Sequence, residues 1–221
     1  DVYFKVFDEL YDIIREGDEM AFCYFSSWAP GKMTKLQCDI STMISDDDYR
    51  RFVQPYLREQ CQKIPYTLYH LDGVGALHHL PAILEIEELK AIQWTPGVGE
   101  PQGGDPKWYD LYKKIIAGGK SIMACWVTLD QLRPLLDNVG GDGIHLEMDF
   151  KNEDEVEKAL RIVEEYQTHE VERKLDECIH IGNKATLEKQ TKPRYRQIRA
   201  EIKDQKPMTK ELTIKSKAHS Q

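Results

Sequence analysis

Three observations predict an α/β fold built from parallel β/α units. Five short apolar runs, at 20–25, 66–71, 89–94, 121–127 and 143–150, have the length of strands. Longer amphipathic stretches lie between them, and several close on glycine, as helices do. Strands alternating with helices of this length imply right-handed parallel crossovers. Five strands suit either a doubly wound open sheet or part of a (β/α)8 TIM-type barrel, which would need three more. Periodicity alone leaves both open.

The elements follow in order. The chain opens at Asp1 without a methionine, directly in a helical pattern (Val2, Phe4, Val6, Phe7, Leu10, Ile13, Ile14), as though cut from a longer protein. A helix over 46–63 has Ser45 as its N-cap and Phe52, Val53, Tyr56 and Leu57 along one face. Another begins near Gly75 and carries His78-His79. Adjacent helical residues point about 100° apart, so this pair is expected to be a poor joint metal site. The run Trp94-Thr-Pro-Gly-Val-Gly-Glu-Pro-Gln-Gly-Gly-Asp-Pro lacks the third glycine of a dinucleotide fingerprint and reads as a mobile active-site loop. Helices are expected over 107–117, closed by Gly118-Gly119, over 129–138, ended by Gly140-Gly141, and over 152–166 behind an acidic first turn.

Composition excludes several classes. The 221 residues, 41% apolar, suffice for one substantial core. A net charge of −8 and a pI near 5.4 argue against a general nucleic-acid binder, which needs a basic face. Five cysteines, odd in number and without CxxC spacing, read as reduced thiols of a cytoplasmic protein. No apolar run approaches the ~18 residues of a membrane span. From Thr168 onward Lys and Arg outnumber Asp and Glu by 13 to 8. The chain therefore reads as a β/α domain over 1–167 and a basic extension over 168–221, with amphipathic helices near 169–180 and 194–204. That extension is expected to be partner-binding or partly disordered.

Strand alternation picks out the candidate site. In 143–150, Ile144, Leu146, Met148 and Phe150 share one side, and His145, Glu147 and Asp149 the other. Three ionisable groups in a row must face a wet cavity or a partner. His70 and Asp72 likewise share a face just before Gly73, at the strand end where barrel active sites are built. The competing account makes Asp72 a turn cap and His70 a hydrogen-bonded core histidine. Trp94 and Trp126 could floor a pocket for a flat substrate, or be plain core.

Cys38-Asp-Ile-Ser-Thr-Met-Ile-Ser-Asp-Asp-Asp-Tyr-Arg-Arg-Phe-Val-Gln-Pro-Tyr-Leu resembles the "LSP…F…F…PYL" segment of the uroporphyrinogen decarboxylase superfamily. Tyr69-His-Leu-Asp-Gly is similar to the strand that reads HxCG in the methylcobamide:thiol methyltransferases of that group. Leu80-Pro-Ala-Ile-Leu, Ala91-Ile-Gln-Trp-Thr-Pro-Gly, Lys107-Trp108 and Gly119-Lys120 are similar to a uroporphyrinogen-decarboxylase-like, corrinoid-related branch. The resemblance spans about residues 20 to 166.

This resemblance implies the C-terminal part of a (β/α)8 barrel, its N-terminal strands missing, with a deep cleft at the strand ends. It implies a corrinoid-dependent methyltransferase acting in one-carbon transfer on a small-molecule substrate, with a methyl-corrinoid carried by a partner protein. In those relatives a His, the Cys of HxC and a later Cys hold zinc, which activates a thiol as thiolate. Here His70 matches the ligand His, Asp72 stands at the Cys position, and Cys178 is the one cysteine after the 152–166 helix, where the relatives place the later Cys. His145 and Glu147 would have to complete a metal set with His70 and Asp72. With Asp72 at the Cys position, zinc is expected to be weak or absent, and His70 is expected to move a proton or orient the substrate, paired to a carboxylate. Asp39 falls where the superfamily places a substrate-facing residue. A uroporphyrinogen-decarboxylase-like carboxy-lyase is the alternative, although its polycarboxylate substrate wants basic groups and these strand ends offer acids. A degenerate, non-catalytic ligand-binding barrel is the third reading. An incomplete barrel is also expected to self-associate through its open edge.

Overall fold

The computed structural model describes residues 2–22, 25 and 27–180. The chain divides into a compact unit, Asp1–Thr168, and a second unit, His169–Gln221. The helix expected at 194–204 and Cys23 lie outside the described residues, and so does the side chain of Cys178.

The first unit is mixed α/β. α1 (Val2–Ile14) leads into a hairpin of β1 (Met20–Phe22) and β2 (Ser27–Ala29), paired antiparallel. Five parallel strands follow: β3 (Met33–Leu36), β4 (Tyr66–Asp72), β5 (Ala91–Thr95), β6 (Ser121–Ala124) and β7 (Ile144–Leu146). Their order in the sheet is their order in the chain, with no reversal of the kind that marks a doubly wound fold. Between them run α2 (Asp46–Phe52), α3 (Gln54–Lys63), α4 (Leu80–Leu84), α5 (Tyr109–Ala117) and α6 (Leu129–Val139), and α7 (Glu153–His180) closes the described chain.

Five parallel strands were expected, but not this set. Within the run at 20–25, Met20–Phe22 pairs antiparallel in the hairpin, and the missing parallel strand is Met33-Thr-Lys-Leu, too short and too polar to stand out as an apolar run. β7 stops at Leu146, which leaves Asp149 beyond the strand. The helix expected over 46–63 breaks at Val53, where Pro55 enters the first turn of α3. At its start, the Ser45 side chain accepts from the Asp48 N–H.

The sheet has two unlike faces. Leu36, Tyr69, Leu71, Ile92, Trp94 and Ile122 pack under the helices in the main core, with Tyr49, Ile83, Tyr112 and Leu135 among their partners. Each such side chain stabilises by about 1.5–3 kcal/mol on burial. On the other face, Met33, Leu68, Met123 and Cys125 meet Tyr11, Met20, Phe25 and Ala29 from α1 and the hairpin. A smaller cluster of Leu132, Leu136 and Ala159 joins α6 to the start of α7. Among the described residues, no helix is long and apolar enough to cross a membrane.

One buried cation ties the helix layer to the sheet. Lys120 is 6% exposed, and its Nζ donates to the carbonyls of Ile86 at 2.7 Å and Glu87 at 2.9 Å. Burial holds its pKa below the usual lysine value. Lys120→Met keeps the stem and removes both donors. It is expected to cost about 1.5–3 kcal/mol, read as a lower urea midpoint at unchanged slope, and an unchanged midpoint would contradict this role.

Candidate functional site

The parallel register assembles a polar row on the face away from the helices. His70 pairs with Gln93, Gln93 with Met123, and Met123 with His145, so these four residues form one line across β4 to β7. Asp72 and Thr95 pair two positions further toward the C-terminal strand ends. Every C-terminal strand end of a parallel sheet lies on the same side, so His70, Cys125 and Glu147 open toward one mouth.

Hydrogen-bond direction orients His70. Gln93 is 1% exposed, and its Nε2 donates to Thr95 Oγ1 at 2.8 Å and to Cys125 Sγ at 3.0 Å. Its Oε1 therefore faces Nδ1 of His70 and accepts the proton that this nitrogen carries. Nε2 is left with a free lone pair, 3.7 Å from Asp72 Oδ2. The His70 side chain is 14% exposed and that of Asp72 58%, so the imidazole is sheltered and the carboxylate is wet. Phe25 packs against the imidazole at a centroid distance of 5.2 Å.

The chain of bonds ends at Cys125, beside Glu147. The Cys125 thiol is pushed up to about 12, chiefly by burial, against the pull of the Gln93 bond and with a further push from Glu147. It stays protonated next to the Glu147 carboxylate. On the other flank, Lys35 Nζ donates to Gln37, whose amide donates to Asp39. Lys35 also lies 5.7 Å over the Phe25 ring that touches His70. Asp39, exposed in the first turn of a 3-10 helix (Asp39–Met43), thus joins the mouth through Gln37 and Lys35.

The other expected residues separate. Trp94 is fully buried on the helix side, edge-to-face with Trp108 at 5.1 Å, and does not reach the mouth. Its position between Gln93 and Thr95 on a strand forces it to the opposite face. Trp126 follows Cys125, is 43% exposed, and has φ 55, the one positive value on a described non-glycine residue. Holding an aromatic residue in this left-handed region costs about 1–2 kcal/mol, and such strain concentrates at functional sites. His145 is exposed at the edge strand and lines a cavity of about 470 Å³ with Trp28, Met33, Leu68 and Met123, at the N-terminal half of the sheet. Desolvation by its surroundings lowers its pKa against the opposing pull of Glu147. That cavity is apolar and sits at the end of the sheet away from the polar mouth.

Zinc does not fit the mouth. Among the described residues, no third His, Cys, Asp or Glu brings a ligand atom within 4.8 Å of both His70 and Asp72, so His145 and Glu147 do not complete a set. Two ligands fall short of the three usual in catalytic zinc sites.

The glycine-rich loop after β5 is tied down at its distal half. Gly103 N donates to Cys125 O at 3.0 Å, and Tyr112 Oη donates to Gly103 O at 2.7 Å. A Cβ on Gly103 would collide with the Cys125 carbonyl, so only glycine allows this approach. Trp108 Nε1 adds a bond to Pro101 O at 2.9 Å. Only the tip, around Val98, projects fully into solvent.

Sequence reading missed Gln93, Cys125 and Lys35. The signal for Gln93 was present, a lone amide between Ile92 and Trp94 in a strand buried on both faces. Cys125 gave none, because a single cysteine beside alanine reads as core.

No protein-family model, curated protein or solved structure matches the chain.

The Cys125 shift makes a test of the relay. At pH 8 a thiol with a pKa of about 12 is roughly one part in 10⁴ thiolate, against about a quarter for an unperturbed cysteine. Native alkylation of the Cys125 peptide should run about 10³-fold slower than in the unfolded chain. Since the folded value lies above the unfolded one, this group's contribution to stability is full below about pH 8.5 and is lost as pH rises toward 12. Equal labelling rates in native and unfolded protein would refute the buried, hydrogen-bonded thiol.

Proposed function

We propose that the five-stranded sheet is part of a (β/α)8 barrel of the uroporphyrinogen decarboxylase superfamily type, and that the chain is a corrinoid-dependent methyltransferase acting in one-carbon transfer. Sequential strand order, with α2–α6 on one face and His70 and Gln93 on the other, supports the barrel reading. The motifs around His70 and the Pro-Tyr-Leu helix support the family.

One observation carries the chemistry: Gln93 fixes the proton on Nδ1 of His70 and leaves the Nε2 lone pair beside Asp72. That is the arrangement of a general base whose cationic form is steadied by a carboxylate. His70 Nε2 takes the proton of an acceptor thiol, and the resulting thiolate attacks the methyl carbon of a methyl-corrinoid presented by a partner protein. The C–S bond forms as the Co–C bond breaks, and the electron pair of that bond stays on cobalt. No zinc step enters, since the described residues of the mouth offer no third ligand beside His70 and Asp72. Trp126 offers an exposed aromatic face at the rim for a flat substrate. Asp39, Asp72 and Glu147 at the mouth, against the single amine of Lys35, disfavour the carboxy-lyase alternative, whose substrate is polyanionic. The cytoplasm, where thiols stay reduced, suits both the cysteines and a thiol acceptor.

Methylcobalamin as donor with a panel of small thiols tests this reading, followed by loss of the methyl-cobalt absorbance. His70→Gln is expected to lower the thiol-dependent rate by about 10²–10⁴-fold, with the loss greatest at low pH, where less thiolate exists without a base. A wild-type protein that demethylates no faster than buffer would leave the degenerate, ligand-binding reading in its place.

A further inference from the structure

We infer that Asp46, His78 and His79 form a binding site for one first-row divalent metal ion, with zinc as the probe. The site joins the segment after β3 to the segment after β4, and it is separate from the His70 mouth.

His78-His79 was expected to be a poor pair because neighbours on an α-helix diverge. The segment Val74–His79 is instead a 3-10 helix, and the two imidazoles turn toward each other, with ring centroids 3.8 Å apart. Asp46, the first residue of α2, meets them from the other side. One ligand atom from each of the three residues lies within 4.8 Å of the other two. Asp46 Oδ1 stands 2.9 Å from His79 Nδ1 and 3.9 Å from His78 Nε2. Ligands on a tetrahedral zinc at about 2.0–2.1 Å sit roughly 3.3 Å apart, between these two spacings.

The buried histidine supplies the independent sign. His79 is 1% exposed, and Nε2 lies 2.7 Å from the Ser41 carbonyl, an acceptor, so Nε2 carries the ring proton. Nδ1 then presents a lone pair, and what faces it is a carboxylate, also an electron-pair donor. Although Asp46 is within 2.9 Å, it lies off the direction a ring N–H would take, and Nδ1 has no hydrogen-bond partner. Two lone pairs confronting each other at 2.9 Å, one on a buried ring and the other on a carboxylate open to solvent, attract a cation to the space beside them. The Nε2–H to backbone carbonyl bond is the outer contact that metal-binding histidines make through their second nitrogen. Tyr49, fully buried, stacks on the His79 ring at 4.2 Å and 17°, which fixes its orientation before any ion arrives.

Two histidines and a carboxylate suit Fe, Co, Ni, Cu or Zn, and not the all-oxygen demands of Ca or Mg. Side chains of Asp46 and His78 are 54% and 44% exposed, so the remaining coordination positions open to solvent, as in sites that bind a further ligand.

Zinc titration by calorimetry of chelator-stripped, tag-free full-length protein tests the site, with cobalt absorbance as a second readout. One equivalent is expected to bind, to raise the melting temperature, and to give the d–d bands of nitrogen and oxygen ligation. His78→Ala and Asp46→Asn should each weaken binding at least tenfold. The metal-free melting temperature of each variant, measured beside its zinc titration, keeps loss of binding apart from loss of folding. His70→Ala should bind as wild type does, which separates this site from the proposed base. Absence of stoichiometric binding would overturn the inference. So would binding lost in His70→Ala but kept in His78→Ala, which would return the metal to the strand mouth.

Discussion

Parallel pairing in register is the constraint on which the rest of this structure depends. It sets His70, Gln93, Met123 and His145 in line across four strands and turns Tyr69, Ile92, Trp94 and Ile122 to the opposite face. A slip of one residue in any strand would exchange these sets, driving a histidine or glutamine under the helices and an indole into the mouth. The helix-side core thus enforces the site. Burial of Trp94 and Ile92 in the helix-side core, in one cluster with Tyr112 and Ile115 of α5, leaves Gln93 no face but the other one. Stability and chemistry are specified by the same alternation.

Within that frame, the amide of Gln93 acts as a rectifier. An amide has one accepting and one donating end, and Thr95 with Cys125 claims the donors. The acceptor end is thereby committed to His70, which sets the tautomer that makes Nε2 available. A glutamate here would accept from both sides and leave Cys125 facing two carboxylates. The raised thiol pKa follows the same logic: Cys125, buried beside the Glu147 charge, stays protonated and accepts from Gln93. His70, Gln93 and Cys125 are linked by polar bonds in which each group has the polarity its neighbour needs.

The sequence made the alternation of strands and helices legible, along with their approximate bounds and the polarity of the His70 and His145 faces. Those features are local, with periods of two and 3.6 residues. Pairing was not local. Residues 20–25 look more like a buried strand than 33–36 do, yet Met20–Phe22 pairs antiparallel with Ser27–Ala29, while Met33–Leu36 pairs parallel with β4. Likewise His70 and Asp72 stood out on one strand, whereas the contact that orients His70 comes from 23 residues away on another. Trp94 was misassigned for a different reason. An aromatic strand residue near a site carries the same local signal whether it lines the pocket or lies behind it, and only the phase relative to Gln93 decides. The close approach of the His78 and His79 rings was not legible either, because the segment winds at three residues per turn instead of 3.6.

Both candidate centres grow from the C-terminal ends of adjacent strands. The segment leaving β3 carries Asp39 to the mouth and, seven residues on, Asp46 to the histidine pair; the segment leaving β4 carries Asp72 and then His78 and His79. Gly73, with φ 78, makes the turn between the two roles of that second segment, and its N–H bonds to Thr95 O at 2.8 Å, locking it against β5. A cation held by Asp46, His78 and His79 would therefore clamp together the two segments that present Asp39 and Asp72. The ion would set the width of the mouth on that side without touching the substrate, and a base that relies on a wet carboxylate for support is sensitive to such width. His70 itself is held by strand pairing and by Gln93, both indifferent to the ion. The arrangement separates what must be fixed, the direction of one lone pair, from what can be tuned, the placement of the acids around it.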